Sequence, residues 1–285
     1  MRLALVTCIW NRHDLEKIVI DRFKEQSKRF AFELIVAGSE GKSSQEIANG
    51  CHYIEIENYP LGRKHNALIT KAKELDVDGV VLFGSDDIVS DSYFEFLLKF
   101  TPEESNLIGL SDLYFYSTKT KEIGLFKHWG MNKKTIGAGR FYSKAILEQM
   151  NWKLWEDEKN AGLDSSSSYL LSINGIQEQA FTMEETDCFL CDIKHTQSIT
   201  YEDVMEATEK VNLSIMAKKV GKETATKVQE LKREEKAIVF DMELVGEQEI
   251  VSTGLNKEMP KGQEYTVSAE TAEVLIKKGF ATLKK

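Results

Sequence analysis

Through the first hundred residues, short uninterrupted apolar runs alternate with segments of helical period. This alternation restricts the fold more than any other feature. Residues 2–9 (Arg-Leu-Ala-Leu-Val-Thr-Cys-Ile), 31–37 (Ala-Phe-Glu-Leu-Ile-Val-Ala) and 79–83 (Gly-Val-Val-Leu-Phe) read as strands buried on both faces. Residues 53–56 add a short strand. Residues 13–28 carry Leu15, Ile18, Val19 and Phe23 along one helical stripe, and residues 61–75 carry Leu68, Ala72 and Leu75. Residues 91–100 are helical again. The order strand–helix–strand–strand–helix–strand–helix predicts a mostly parallel α/β sheet flanked by helices. Ligands of such sheets bind beyond the carboxyl ends of the strands. Two segments fall there, residues 7–12 and residues 84–87.

From residue 107 the pattern changes. Residues 107–112 and 113–117 read as strands, and 122–126 pairs back as a hairpin across 118–121. A glycine-rich turn, Gly137-Ala138-Gly139-Arg140, precedes a short helix at 143–150. Residues 151–168, rich in Trp, Asp, Asn and Ser, read as ordered loop, and 189–193 as a last strand. Residues 202–236 form a long charged stretch of helical character. Residues 237–244 and 262–267 read as strands and 269–278 as an amphipathic helix. The expected organisation is a first domain over 1–201, a helical linker over 202–236 with dimer-helix character, and a small α+β module over 237–285.

Composition sets the class. The 285 residues are 42% hydrophobic and 29% charged, which excludes a disordered, collagen-like or small disulfide-scaffold chain. The balance of 37 basic and 46 acidic residues gives a net charge of −9, which disfavours nucleic acid and anionic lipid as general partners. No run approaches the roughly 20 apolar residues of a membrane span. No secretory signal is recognisable at residues 3–10, so the expectation is a cytoplasmic chain with reduced thiols. Cys188-x-x-Cys191 with His195 has half the spacing of a zinc site, and buried thiols are the alternative.

Four constellations carry chemistry. Gly84-Ser85-Asp86-Asp87 ends a buried strand, and adjacent carboxylates there call for a cationic partner such as Mg²⁺ or Mn²⁺. The alternative is a surface turn with a helix cap. Gly62-Arg63-Lys64-His65-Asn66 opens a helix, where cations and backbone N–H groups suit an anion. The alternative is a solvated basic turn. Gly162-Leu163-Asp164-Ser165 offers a carboxylate as general base or, equally, as a helix cap. His195, just past a late strand, is the fourth.

Taken in order, these segments resemble a glycosyltransferase of the GT-A type, most closely the large inverting family of sugar transferases. The resemblance covers about residues 1–200. It implies a Rossmann-like, nucleotide-diphospho-sugar transferase fold and transfer of a sugar to a hydroxyl-bearing acceptor. It implies that Thr7 and Arg12 contact the nucleotide, with Arg63, Asn66 and Asp86 along it. Asp87 would be the main ligand of Mn²⁺ or Mg²⁺, His195 a further ligand, and Asp164 the base. Ser85 stands where the family has its first acid, and the family's Glu-Asp catalytic pair is absent. Residues 257–283, with Gly262, Val267, Ala272, Leu275 and Gly279, are weakly similar to short domains of bacteriophage virion proteins. A phage enzyme acting on a glycan or a modified DNA base follows as an expectation.

Two rivals remain. A dinucleotide enzyme needs Gly-x-Gly-x-x-Gly after the first strand, and Thr7-Cys8-Ile9-Trp10-Asn11-Arg12 has no glycine. A non-catalytic carbohydrate-binding or virion assembly protein on a transferase-like fold is the other, favoured by Ser85. Trp129, Trp152 and Trp155 are candidates for stacking on sugar in either case.

Overall fold

The computed structural model describes residues 1–127, 134–195, 205–231, 247–252, 264–268 and 281–283. The chain divides into two units, Met1–Glu234 and Glu235–Lys285.

The first unit is built on β1 (Leu3–Cys8), β2 (Glu33–Gly38), β3 (His52–Glu55) and β4 (Gly79–Leu82), all parallel. Helices α1 (His13–Phe30), α2 (Lys42–Ile47) and α3 (Leu61–Glu74) fill the crossovers. The sheet continues through β6 (Leu107–Leu110), β9 (Arg140–Ser143) and β10 (Glu178–Phe181), in the order β10-β6-β9-β4-β1-β2-β3. Only β9 runs antiparallel to its neighbours. Strand alternation splits the core: Leu3 and Leu5 of β1 join Leu15, Val19 and Phe23 of α1. Ala4 and Val6 join Leu68, Ile69 and Ala72 of α3 on the other face. This is the predicted mixed α/β architecture, with a parallel-dominated sheet between helices.

The second sheet follows the order β12-β8-β7-β11-β5. Its strands are β5 (Asp87–Val89), β7 (Asp112–Ser117), β8 (Ile123–Lys127), β11 (Leu190–Lys194) and β12 (Glu209–Val211). The 118–121 hairpin joins β7 and β8 as expected. Three short helices, α4 (Asp91–Leu97), α5 (Lys144–Gln149) and α7 (Met183–Thr186), and the longer α6 (Leu163–Ile173) complete the first unit.

Three readings change. Residues 163–168, expected as loop, open α6, because Leu171, Ser166 and Ser167 bury one face of it. Residues 205–231 are no single helix: they hold β12, then α8 (Ser214–Val220) and α9 (Lys222–Glu230). Gly221, at φ 90°, breaks the helix between them, and α9 packs on α1. Trp152 and Trp155 are buried, Trp155 edge-on to Tyr142, so neither offers a ring to a sugar.

The second unit contributes β13 (Glu247–Ser252), β14 (Glu264–Ser268) and β15 (Ala281–Leu283), an antiparallel sheet in the order β14-β13-β15. The expected strand at 237–244, the expected helix at 269–278 and Trp129 lie outside the described residues. Among the described residues no helix is long and apolar enough to cross a membrane.

Candidate functional site

The chain leaves the first sheet at the end of β4 and enters the second at Asp87, so Ser85 and Asp86 form the link between sheets. This link lies at the carboxyl edge of β1 and β4, where a parallel sheet binds its ligands. The backbone N–H of Gly84 donates to Asp87 Oδ2 at 2.6 Å. A Cβ on Gly84 would stand 2.6 Å from Asp86 Oδ1 and 3.0 Å from Asp87 Oδ2, so glycine is what lets the carboxylates fold back here.

Two cations face the acids. The Arg12 guanidinium, reaching in from the turn after β1, donates to Asp86 Oδ2 and, at 3.0 Å, to Ser85 Oγ. Ser85 is buried and occupied by Arg12, so it contributes no charge of its own. The third carboxylate comes from Asp192 on β11, directly opposite Asp87 in the antiparallel register. The N–H of Ile193 donates to the Asp86 carbonyl at 2.8 Å and locks this register. Lys194 Nζ donates to Asp192 Oδ2 at 2.7 Å and sits 4.7 Å above the Phe115 ring.

Burial, reinforced by Asp86 and Asp192, pushes the Asp87 carboxyl well above its ordinary range. Burial and Asp86 push Asp192 up to about 6, against the pull of Lys194 and Arg12. Asp192 Oδ1 is buried with no hydrogen-bond partner among the described residues. Asp87 and Asp192 form an oxygen pair across the strand register, and among the described residues no third His, Cys, Asp or Glu closes a compact group with them. The unsatisfied buried oxygen and the raised proton affinity fit a hard divalent cation such as Mg²⁺ or Mn²⁺ that takes its other ligands from a diphosphate or water.

Asp164 reaches the same edge by another route. Arg140, first residue of β9, pairs with Leu82 at the end of β4, so the Gly137–Arg140 turn lies beside the acids. Asp164, exposed in the first turn of α6, packs against Gly137 so closely that a Cβ there would fall 2.2 Å from Asp164 Oδ1. Gly162 is the N-cap residue, so Asp164 stands at the second helical position rather than at the cap. Arg140 is buried and spends its donors on the carbonyls of Thr135, Ile136 and Asp164 and on Ser168 Oγ. Asp164 and Asp192 both line one cavity of about 910 Å³, walled by Leu113, Phe115 and Tyr169.

The remaining sequence candidates are placed differently. Thr7 is fully buried, with no hydrogen-bond partner for its Oγ1 among the described residues, so it presents no surface to a nucleotide. Asn66 is a latch: its Nδ2 donates to the Trp155 carbonyl and to Asp157 Oδ1, both at 2.8 Å. Its Oδ1 accepts the N–H groups of Leu154 and Trp155, so the amide is used up on the 154–157 loop. Arg63 is exposed at the start of α3 and pairs with Glu158 at 2.5 Å. Lys64, buried, donates to the Ile9 carbonyl, Ser39 Oγ and Asn58 Oδ1, tying together the ends of β1, β2 and β3. His195 is buried and, among the described residues, joins Asp86 and Asp87 in no close group of three ligands. Cys188 and Cys191 are free, buried thiols. Asp192 is the residue sequence reasoning passed over; an acid inside Leu190-Cys191-Asp192-Ile193 was its signal.

No protein-family model and no curated protein matches the sequence. Solved structures similar to part of the chain include the catalytic domain of Drosophila β1,4galactosyltransferase 7 in complex with xylobiose, at 11% identity and TM-score 0.43 over 63% of this chain and 64% of that one. A Pyrobaculum calidifontis mannosyltransferase in complex with GDP-Man and Mn²⁺ is similar at 11% identity and TM-score 0.45, over 72% of this chain and 59% of that one. A glycosyltransferase involved in glycosylation of the major capsid of PBCV-1 is similar at 12% identity and TM-score 0.41, over 67% and 92%. The chain thus spans less than two thirds of the first two.

Proposed function

We propose that this chain is a nucleotide-sugar-dependent glycosyltransferase of the GT-A type. The observation that carries the reading is the Asp87–Asp192 pair at the carboxyl edge of a parallel sheet, flanked by the Arg12–Asp86 pair and Lys194 and beside the Asp164 cavity. A diphosphate needs such paired cations and a metal-holding carboxylate set. A sugar acceptor needs a cavity with a carboxylate at its wall.

Asp87 and Asp192 are the residues that would hold Mn²⁺ or Mg²⁺, with Asp86 beside them. When bound, the ion neutralises charge on the diphosphate leaving group. Arg12 and Lys194 add fixed positive charge at the same place. Asp164 accepts the proton of the acceptor hydroxyl as the oxygen attacks the anomeric carbon. The new carbon–oxygen bond forms as the bond to the diphosphate oxygen breaks, and the electron pair leaves with the nucleoside diphosphate. The acceptor occupies the 910 Å³ cavity, and its class is a hydroxyl-bearing glycan or modified base.

The test is turnover of nucleotide sugars with and without Mn²⁺. Asp164→Asn is expected to lower kcat by about 10²–10⁴-fold with nucleotide affinity unchanged. Asp87→Asn is expected to abolish the metal dependence with the circular dichroism spectrum intact. Undiminished turnover in Asp87→Asn removes the metal assignment, and no turnover of any nucleotide sugar by the unaltered chain leaves the carbohydrate-binding reading.

A further inference from the structure

A second group of metal-binding side chains lies at the β1–β2 end of the sheet. His13 opens α1 and Glu16 follows one turn later, so both reach the same face of the helix. Glu40 comes from the segment after β2, which lies next to the end of β1. One ligand atom from each of the three lies within 4.8 Å of the others. Among the described residues no other three His, Cys, Asp or Glu side chains gather in this way.

The main chain holds both carboxylates in place. The N–H of Trp10 donates to Glu16 Oε1 at 2.5 Å, and the N–H of Asn11 donates to Glu40 Oε2 at 2.8 Å. His13 Nε2 lies 2.9 Å from Glu40 Oε2. Anchoring of ligands through a second atom is what orients a metal site. The independent sign of a ligand is Glu16 itself. Its side chain is completely buried, at 0% exposure, and Oε2 has no hydrogen-bond partner among the described residues. A buried carboxylate oxygen requires a donor or a cation. Arg12 and Lys64 are the cations that act on Glu16, but the Arg12 guanidinium donates to Asp86 and Ser85 and the Lys64 ammonium donates to the Ile9 carbonyl, Ser39 and Asn58.

We propose that His13, Glu16 and Glu40 form a divalent-cation site separate from the Asp87–Asp192 centre. One imidazole nitrogen with two carboxylate oxygens selects an ion of the Zn²⁺ or Co²⁺ kind over Ca²⁺ or Mg²⁺. His13, partly exposed, leaves a way in and room for water as a fourth ligand. The ion ties the turn carrying Arg12 to the end of β2. The site stands on its own residues and does not depend on the transferase reading.

The experiment is Co²⁺ titration of the full chain, followed by visible absorption and calorimetry. Asp87→Asn removes the other centre and is expected to retain one bound Co²⁺ with d–d absorption bands. Adding His13→Ala is expected to erase the bands and weaken binding by at least about tenfold. In the otherwise unaltered chain, His13→Ala and Glu40→Gln are each expected to lower the count by one ion, which reads the site without any change at Asp87. No Co²⁺ on Asp87→Asn, or a count and spectrum indifferent to His13→Ala, overturns the proposal.

Discussion

A carboxylate set in a strand of Leu, Cys and Ile is costly unless a charge meets it, and Asp192 is such a residue. Its carboxyl, ordinarily near 3.8, is pushed up to about 6 by burial and by Asp86. Between these values the folded chain holds more proton at this position than the unfolded chain does. Stability from this group therefore falls as pH rises through about 6. The Tm of Asp192→Asn relative to the unaltered, metal-free chain is expected to climb from pH 4 to pH 7, and Mn²⁺ is expected to raise Tm at pH 7 more than at pH 5. A Tm difference flat across this range would contradict the placement. Asn66 makes the opposite point. Sequence put it beside a nucleotide because it opens a helix with Arg63 and Lys64, yet its amide closes a loop nearly ninety residues away. Asn66→Ala leaves buried backbone N–H groups of Leu154 and Trp155 without partners. A loss of about 1–3 kcal/mol in denaturant unfolding is expected, with nucleotide affinity unchanged.

The elements were legible in the sequence where one period dominated. The buried runs of β1, β2 and β4 and the stripes of α1 and α3 follow from apolar spacing alone, and with them the parallel sheet and the place of its carboxyl edge. The α6 helix was hidden because serine favours caps and turns; tertiary burial of Ser166, Ser167 and Leu171 overrides that preference. The segment after residue 205 was misread as one helix because its charge pattern conceals an edge strand, β12, and the break at Gly221. The α6 packing also yields a prediction. Gly137 makes room for the Asp164 carboxylate, and a methyl group there pushes that flexible side chain aside rather than the backbone. Gly137→Ala is expected to lower kcat toward the Asp164→Asn level while Tm changes little. Full activity in Gly137→Ala would separate Asp164 from proton transfer.

Across the whole first unit, one edge gathers the residues that the proposed function uses: the turn after β1, the link between the two sheets, the Gly137 turn and the start of α6. The acids there come from β4–β5, β11 and α6, far apart in sequence. That is why residue patterns singled out Asp86, Asp87 and Asp164 one at a time and gave Asp192, within the 191–195 segment, no role until strand register joined it to Asp87. The surplus of nine negative charges suits a chain that gathers carboxylates around a cation. The measurement that tests the central claim most directly is binding of UDP and GDP, by calorimetry and thermal shift, with and without Mn²⁺. A ligand that binds the native state raises its apparent stability. A Mn²⁺-dependent rise in Tm with one of the two nucleotides, lost in Asp87→Asn, is the predicted result. No rise with either nucleotide in the presence of Mn²⁺ would contradict the account.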